Sequence, residues 1–367
     1  MNYERSIYLM KNLIDEFALD LKGLNVITEC ASEAYSLSPL GICLAGGRAI
    51  CVGKDSSFAS FSQNKKNLNK LMKLNNIPKE RYKIFKDEIP INYWKEVDIV
   101  CNSGFVRKIA KDKIESLKST AVISLMWETW EFRNEDIDLK SCQINNIPVI
   151  GTNESYKLIN MFDYNIFIVM KLLFNLDLEI NNSVIVLIGG HKTGESIAKR
   201  LSDLGINYYW FTTDGNERQA NCYPFKSLRK ILDFRRIDAI ISVEHSNKIE
   251  LIGNKSQLNF AELKFKFPQI VFGHICGNID IDDLNKSTIR YAPSKIEPFG
   301  YMSYQAYNLG PRPVIELNIA GLLVGQIAVR ARLKGLSVKD SILKAVNHGI
   351  GQDFEGGFEN ANRTNIC

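Results

Sequence analysis

The chain has 367 residues, 45% of them apolar and 24% charged, and 46 Lys/Arg against 41 Asp/Glu leave a net charge of +5. At roughly 100–200 residues per domain, that length predicts two domains, each able to bury its own core. The composition excludes a disordered, collagenous or small disulfide-scaffold chain, and five surplus charges without a dense Lys/Arg block argue against a nucleic-acid partner.

The N-terminal segment carries Ile7, Met10, Ile14, Phe17 and Leu21 at helical spacing and no secretory core. The most apolar stretches, 166–174 and 314–329, are broken by Lys171 and by Glu316, Asn318 and Gln326. Both fall short of the roughly 18 uninterrupted residues a membrane span needs, so no membrane contact is expected. Eight cysteines form no Cys-x-x-Cys pair and have no His at metal spacing. They read as reduced core thiols, which predicts a cytoplasmic protein without a metal site.

Short apolar runs at 26–30, 49–53, 82–85, 97–101, 121–126 and 148–151 read as strands. Helical patterns separate them at 36–45, 64–74, 111–118 and 137–145. Such alternation signals a parallel sheet covered on both faces. Residues 153–174 read as one long connecting helix. A second series follows, with strands at 183–188, 207–212, 239–243, 269–272 and 288–291 and helices at 194–204 and 225–234. After the rigid Pro311-Arg312-Pro313 corner, residues 314–333 return to helical spacing. The expected organisation is a first domain over 1–160 joined by 314–340, a second over 176–310, and a C-terminal tail over 341–367.

The sharpest motif is the apolar strand 184–188 running into Gly189-Gly190-His191-Lys192-Thr193-Gly194 and then a helix. Strand, glycine turn and helix in that order form the context of a dinucleotide fingerprint, whose glycines let the backbone approach a pyrophosphate at the helix start. Asp214 follows Gly194 by twenty residues, near the end of the next strand, where an acid binds an adenosine ribose. His191 stands at the middle glycine position. Either Gly190 takes that role in a shifted turn, or the pyrophosphate sits farther off and meets His191 or Lys192. Asp214 points to NAD, while Thr212, Thr213 and Arg218 leave NADP open.

Ligands of open α/β sheets bind at the carboxyl ends of strands. That rule selects Thr28-Glu29-Cys30, the Asn102-Ser103-Gly104 loop with Arg107, the Trp127–Arg133 run with Glu128 and Glu131, and Gly151-Thr152-Asn153-Glu154. In the second series it selects Glu244, His245 and His274. Arg107 on a glycine loop suits capture of a substrate carboxylate, or is a solvated helix-start Arg. Glu128 among tryptophans suits acid/base work, or belongs to a satisfied packing interface. His274, after an apolar strand, is the leading acid/base candidate; its alternative is a histidine that holds the turn by hydrogen bonds.

With these residues in place, the chain resembles the two-domain dehydrogenases of the D-2-hydroxyacid (formate/glycerate) type and the S-adenosylhomocysteine hydrolase group. The turn at 188–194 also resembles that of dipicolinate synthase's Rossmann subunit. The resemblance implies an α/β fold of two doubly wound parallel-sheet domains, a flavodoxin-like one followed by a Rossmann domain, with a late helix returning to the first. It further implies an NAD(P)-dependent oxidoreductase acting on a small carboxylate-bearing hydroxy, keto or amino compound in an interdomain cleft, and a homodimer. A hydrolase or lyase using NAD without net redox, or a nucleotide-binding protein without dehydrogenase activity, are the alternatives. The hydroxyacid family's Arg–Gly pair is missing, Ile275 standing where that Arg falls.

Overall fold

The computed structural model describes residues 2–212 and 221–361. The chain divides into two compact units, Met1–Asn160 with Gly310–Cys367, and Met161–Leu309. The first opens with α1 (Tyr3–Glu16), β1 (Asn25–Glu29), α2 (Ser38–Leu44), β2 (Arg48–Gly53), α3 (Phe61–Leu74) and β3 (Tyr82–Lys86). It continues through α4 (Ile91–Trp94), β4 (Ile99–Cys101), α5 (Lys111–Ser116), β5 (Val122–Ser124), α6 (Leu139–Ile144) and β6 (Val149–Thr152). The second contains α7 (Tyr164–Asn175), β7 (Val184–Ile188), α8 (His191–Asp203), β8 (Asn207–Thr212), β9 (Cys222–Pro224) and β10 (Ala239–Val243). It ends with β11 (Glu250–Ile252), α9 (Phe260–Lys266), β12 (Val271–Cys276), β13 (Asn278–Ile279), α10 (Ile281–Ser287) and β14 (Arg290–Ala292). The chain then rejoins the first unit as α11 (Arg312–Leu333), α12 (Val338–His348) and β15 (Gly351–Gln352).

The first sheet runs β15-β6-β5-β4-β1-β2-β3, parallel except for β15, which pairs antiparallel with β6. The second runs β14-β12-β10-β7-β8-β9, all parallel. Numbered within each sheet, the six strands of the second and the six parallel strands of the first have the order 3-2-1-4-5-6; β15 adds a seventh at the β6 edge of the first sheet, and β11 pairs with β13 in a separate two-stranded sheet. The doubly wound reading therefore holds, but the flavodoxin-like label for the first unit gives way to the dinucleotide-fold order. Flavodoxin order is 2-1-3-4-5; here β2 and β3 both lie to one side of β1. Alternating strands and helices reveal a doubly wound sheet but not the point where the winding reverses.

Period-2 patterning explains why the second sheet is covered on both sides. Ile185 and Leu187 of β7 pack with Leu172, Ile197 and Leu201, while Val186 and Ile188 pack with Leu228, Phe260 and Phe272. Each fully buried aliphatic side chain contributes about 1.5–3 kcal/mol. In the first unit α11 lies across β4, β5 and β6. A Cβ on Gly325 would stand 2.7 Å from Ile99, so only glycine lets the helix settle there.

Several expectations need revision. The long connecting helix at 153–174 is interrupted: Asn160 adopts φ +34, a 3-10 turn spans Met161–Asp163, and α7 starts only at Tyr164. The break falls where one unit ends and the other begins. The expected tail at 341–367 is structured over its described part, because Ile342, Ala345 and Ile350 are apolar and buried and β15 extends the sheet. Among the described residues α11 is long and apolar enough to cross a bilayer, with a mean hydropathy of 1.5 over its best window. Two-thirds of that window is buried inside the fold (67%). All seven described cysteines are buried and none is in a disulfide.

Candidate functional site

A sheet of order 3-2-1-4-5-6 opens a crevice at the carboxyl ends of its first and fourth strands, where the connections diverge to opposite faces. In the second unit that switch point lies between β7 and β10. Gly189 follows β7 at φ +150, with its α-carbon so near β10 that a Cβ would lie 2.5 Å from the Val243 carbonyl carbon. Gly194, in the first turn of α8, packs on Gly189; a Cβ there would meet the Gly189 carbonyl oxygen at 2.5 Å. The Trp210 indole N–H donates to that same oxygen at 2.7 Å. His191 has φ +55, a left-handed conformation that explains the usual glycine at this position and that histidine adopts more readily than most side chains. The start of α8 thus directs first-turn amides and the positive end of its dipole to the crevice.

Thr193 is buried beneath this turn and Thr212 closes β8. The Lys192 ammonium stands 5.4 Å from the Phe162 ring centroid. Thr213, Asp214 and Arg218 lie outside the described residues. The singled-out site residues hid one larger organiser. Glu244, fully buried at the end of β10, accepts from the Gly190 N–H at 3.1 Å, the Ser246 and Asn247 N–H groups at 2.8 Å each, and the Asn247 side-chain amide at 3.1 Å. It ties the glycine turn to the β10 loop. His245 beside it is half-buried, and burial pushes its imidazole below the ordinary value, with Glu244 opposing and His191 assisting.

His274 takes a structural place. It is 0% exposed, its Nδ1 lies 2.8 Å from Ser303 Oγ and its Nε2 3.0 Å from the Gly277 carbonyl. The Gly277 carbonyl can only accept, so Nε2 carries the proton of the neutral ring and Nδ1 accepts from the Ser303 hydroxyl, whose oxygen also accepts the Glu297 N–H. Burial depresses the imidazole to about 4, opposed by the Gly277 bond. A neutral ring with both nitrogens engaged holds a turn and offers no atom to a substrate.

In the first unit the corresponding crevice lies between β1 and β4, and it gathers the candidates that the sequence scattered. Glu29 ends β1 and is 6% exposed; its Oε2 accepts the Phe105 N–H at 3.0 Å. Burial raises its carboxyl, with the Phe105 bond and Arg107 opposing. Just past β4, the Asn102 amide and the Ser103 hydroxyl are buried with no hydrogen-bond partner among the described residues. The Arg107 guanidinium stacks 4.2 Å over the Trp127 ring, reaches Asp136 at 3.2 Å through Nη1, and buries an unpartnered Nε.

The Trp127–Arg133 run joins the same edge. Glu128 is fully buried and accepts the Trp130 indole N–H at 2.5 Å. Glu131 reaches solvent, yet crowding by protein and then the Glu128 charge push its carboxyl up to about 7, against Arg133 and Arg107. Gln352 of β15 pins the run by accepting from the Thr129 N–H and hydroxyl at 2.6 and 3.0 Å.

No family model and no curated protein matches the sequence. Solved structures do resemble it. The A chain of dipicolinate synthase from Bacillus subtilis is 12% identical, over 88% of this chain and 99% of that one, at a TM-score of 0.50. Its counterpart from Bacillus halodurans is 14% identical over 85% and 98%, with a TM-score of 0.49. A 2-hydroxyacid dehydrogenase from Ketogulonicigenium vulgare is 10% identical over 79% and 98%, with a TM-score of 0.46. At these identities the likeness is one of fold. The chain has the doubly wound, two-domain Rossmann architecture of the B. subtilis structure, in keeping with the resemblance carried by its glycine turn.

Proposed function

We propose that the protein is an NAD(P)-dependent oxidoreductase that acts on a small hydroxy, keto or amino compound bearing a carboxylate. The observation that carries this reading is the turn Gly189–Gly194. A left-handed residue and two glycines pressed against neighbouring backbone bring a helix start to the switch point of a dinucleotide-ordered sheet. The cradle fits a pyrophosphate on the first-turn amides of α8, with Lys192 adjacent. Glu244 already takes the Gly190 N–H, which directs the anion to residues 191–193. A bound nicotinamide would supply or accept hydride. Arg107 supports the substrate class, because Asp136 occupies Nη1 while the buried Nε edge has no protein partner and suits a ligand carboxylate oxygen.

Titration with NAD and NADP, oxidised and reduced, followed by the protein's tryptophan fluorescence, to which Trp210 beside the turn contributes, tests the reading. Saturable quenching by one pair is expected, and its choice decides between NAD and NADP. Absence of binding by all four overturns it. Sedimentation of the same sample tests the homodimer that the reading also includes.

A further inference from the structure

The first unit's crevice carries more unsatisfied polarity than packing requires. Buried polar side chains are nearly always hydrogen-bonded, and a group left bare costs about 1–3 kcal/mol. Yet Asn102 leaves both amide atoms without a partner at 0% exposure, and Ser103 does the same with its hydroxyl at 8%. Both sit in the turn that wraps Glu29. A Cβ on Gly104 would lie 3.3 Å from Glu29 Oε2, and the next residue, Phe105, donates its N–H to that oxygen. The β1–β4 register pairs Val26 with Ile99 and Ile27 with Val100, so Glu29 and Asn102 leave the sheet side by side. Among the described residues, Glu29 has Oε2 held by the Phe105 N–H and no donor to Oε1.

We propose that Glu29, Asn102 and Ser103 form the subsite for the hydroxyl or carbonyl oxygen of the substrate, with Glu29 the group that exchanges its proton. The inference rests on the oxidoreductase reading above and places the substrate carboxylate at Arg107. When a bound hydroxyl is oxidised, its O–H proton passes to the Glu29 carboxylate as the C=O bond forms, and an oxidised nicotinamide, when bound, would be the acceptor of the hydride that leaves the carbon. The reverse reaction returns both. Asn102 has a donor and an acceptor and Ser103 one hydroxyl, so the trio can bond either oxidation state of that oxygen. The other ionisable groups facing Glu29 are Arg107, Cys30 and Cys101. Burial pushes both thiols up to about 12, which leaves Arg107 the charge that works on Glu29.

The test uses full-length protein loaded with cofactor and four probes: lactate, glycolate, pyruvate and glyoxylate. Calorimetry in two buffers of different ionisation enthalpy reads affinity and the protons exchanged on binding. Wild type is expected to bind at least one probe with a proton exchange that Glu29→Gln abolishes. Asn102→Ala and Ser103→Ala should each weaken binding about tenfold while dinucleotide binding is unchanged. Carbon-detected titration of Glu29 without ligand should show it protonated above the ordinary carboxylate range. Unchanged probe affinity in all three variants, an ordinary Glu29 titration, or no binding of any probe to wild type overturns the subsite. Loss of dinucleotide binding in wild type instead overturns the oxidoreductase reading.

Discussion

The two sheets share one strand order, yet their switch points are finished in opposite ways. In the second unit the strand-end carboxylate, Glu244, is surrounded by four N–H donors, and the glycine turn is closed by its own backbone. In the first unit Glu29 has one N–H, and the residues beside it keep buried polar atoms without partners. Topology supplies the crevice in both cases, and local sequence decides what it receives. Glycines expose backbone amides, which suit an anion of fixed geometry. Asn, Ser and Glu side chains expose mixed donors and acceptors, which suit a small polar ligand.

The contrast is most exposed to test at the two carboxylates. Glu244→Ala should cost about 4 kcal/mol in urea unfolding, since it strands several donors at a buried turn. Glu29→Gln should be neutral or stabilising above the pH where Glu29 ionises. Its raised carboxyl means folding favours the protonated form, and that advantage is lost as pH rises through the folded value. Equal costs at the two positions would break the distinction.

His274 probes how completely the second unit satisfies its polar groups. Its imidazole stays neutral in the fold down to about 4, against 6.5 ordinarily. Between those values the unfolded chain binds the extra proton, so stability is complete above pH 6.5 and declines as pH falls towards 4. The loss attributable to this group is about 3 kcal/mol. It should vanish in His274→Gln, measured by denaturant midpoints from pH 7 to 4. A smaller effect follows from the turn itself. Gly194→Ala places a Cβ against the Gly189 carbonyl and should cost about 2 kcal/mol while weakening dinucleotide binding. Undiminished binding would show that α8 need not sit so close.

The second unit was the more legible in sequence, for a physical reason. Its turn uses glycine where sterics allow little else, so residues 189–194 show the geometry directly, and even His191 marks the left-handed position. The strands around it are continuous apolar runs that only a doubly covered sheet accommodates. Glu244 appeared only as one strand-end residue among several, because its importance lies in donors from two separate loops. For His274 the sequence left acid/base work and turn-holding both open, because a strand-end position does not show that Ser303, from a later loop, engages its ring. In the first unit, residues 102–107 and 127–133 were each noticed. Their union through Arg107, Trp127 and Asp136 depends on β4 and β5 being neighbours, which chain order alone does not establish.

Glu131 gives the finest test of the first unit, because crowding and neighbouring charge outweigh the backbone bond from Glu128 in tuning its carboxyl. Crowding first and the Glu128 charge second push it up to about 7, so it changes charge near neutral pH. Replacing Glu128 with Gln removes the like charge and should lower the Glu131 midpoint, while Arg133→Gln should raise it by removing an opposing cation. Carbon-detected titration of labelled glutamate reads both shifts. If the wild-type midpoint lies at the ordinary carboxylate value, solvent screens this edge, and the polarity of the first crevice is confined to Glu29, Asn102 and Ser103. If the midpoint lies near 7 and moves in both directions as stated, the field extends across β4 and β5. The Arg107 guanidinium would then feel a neighbouring charge that switches near neutral pH.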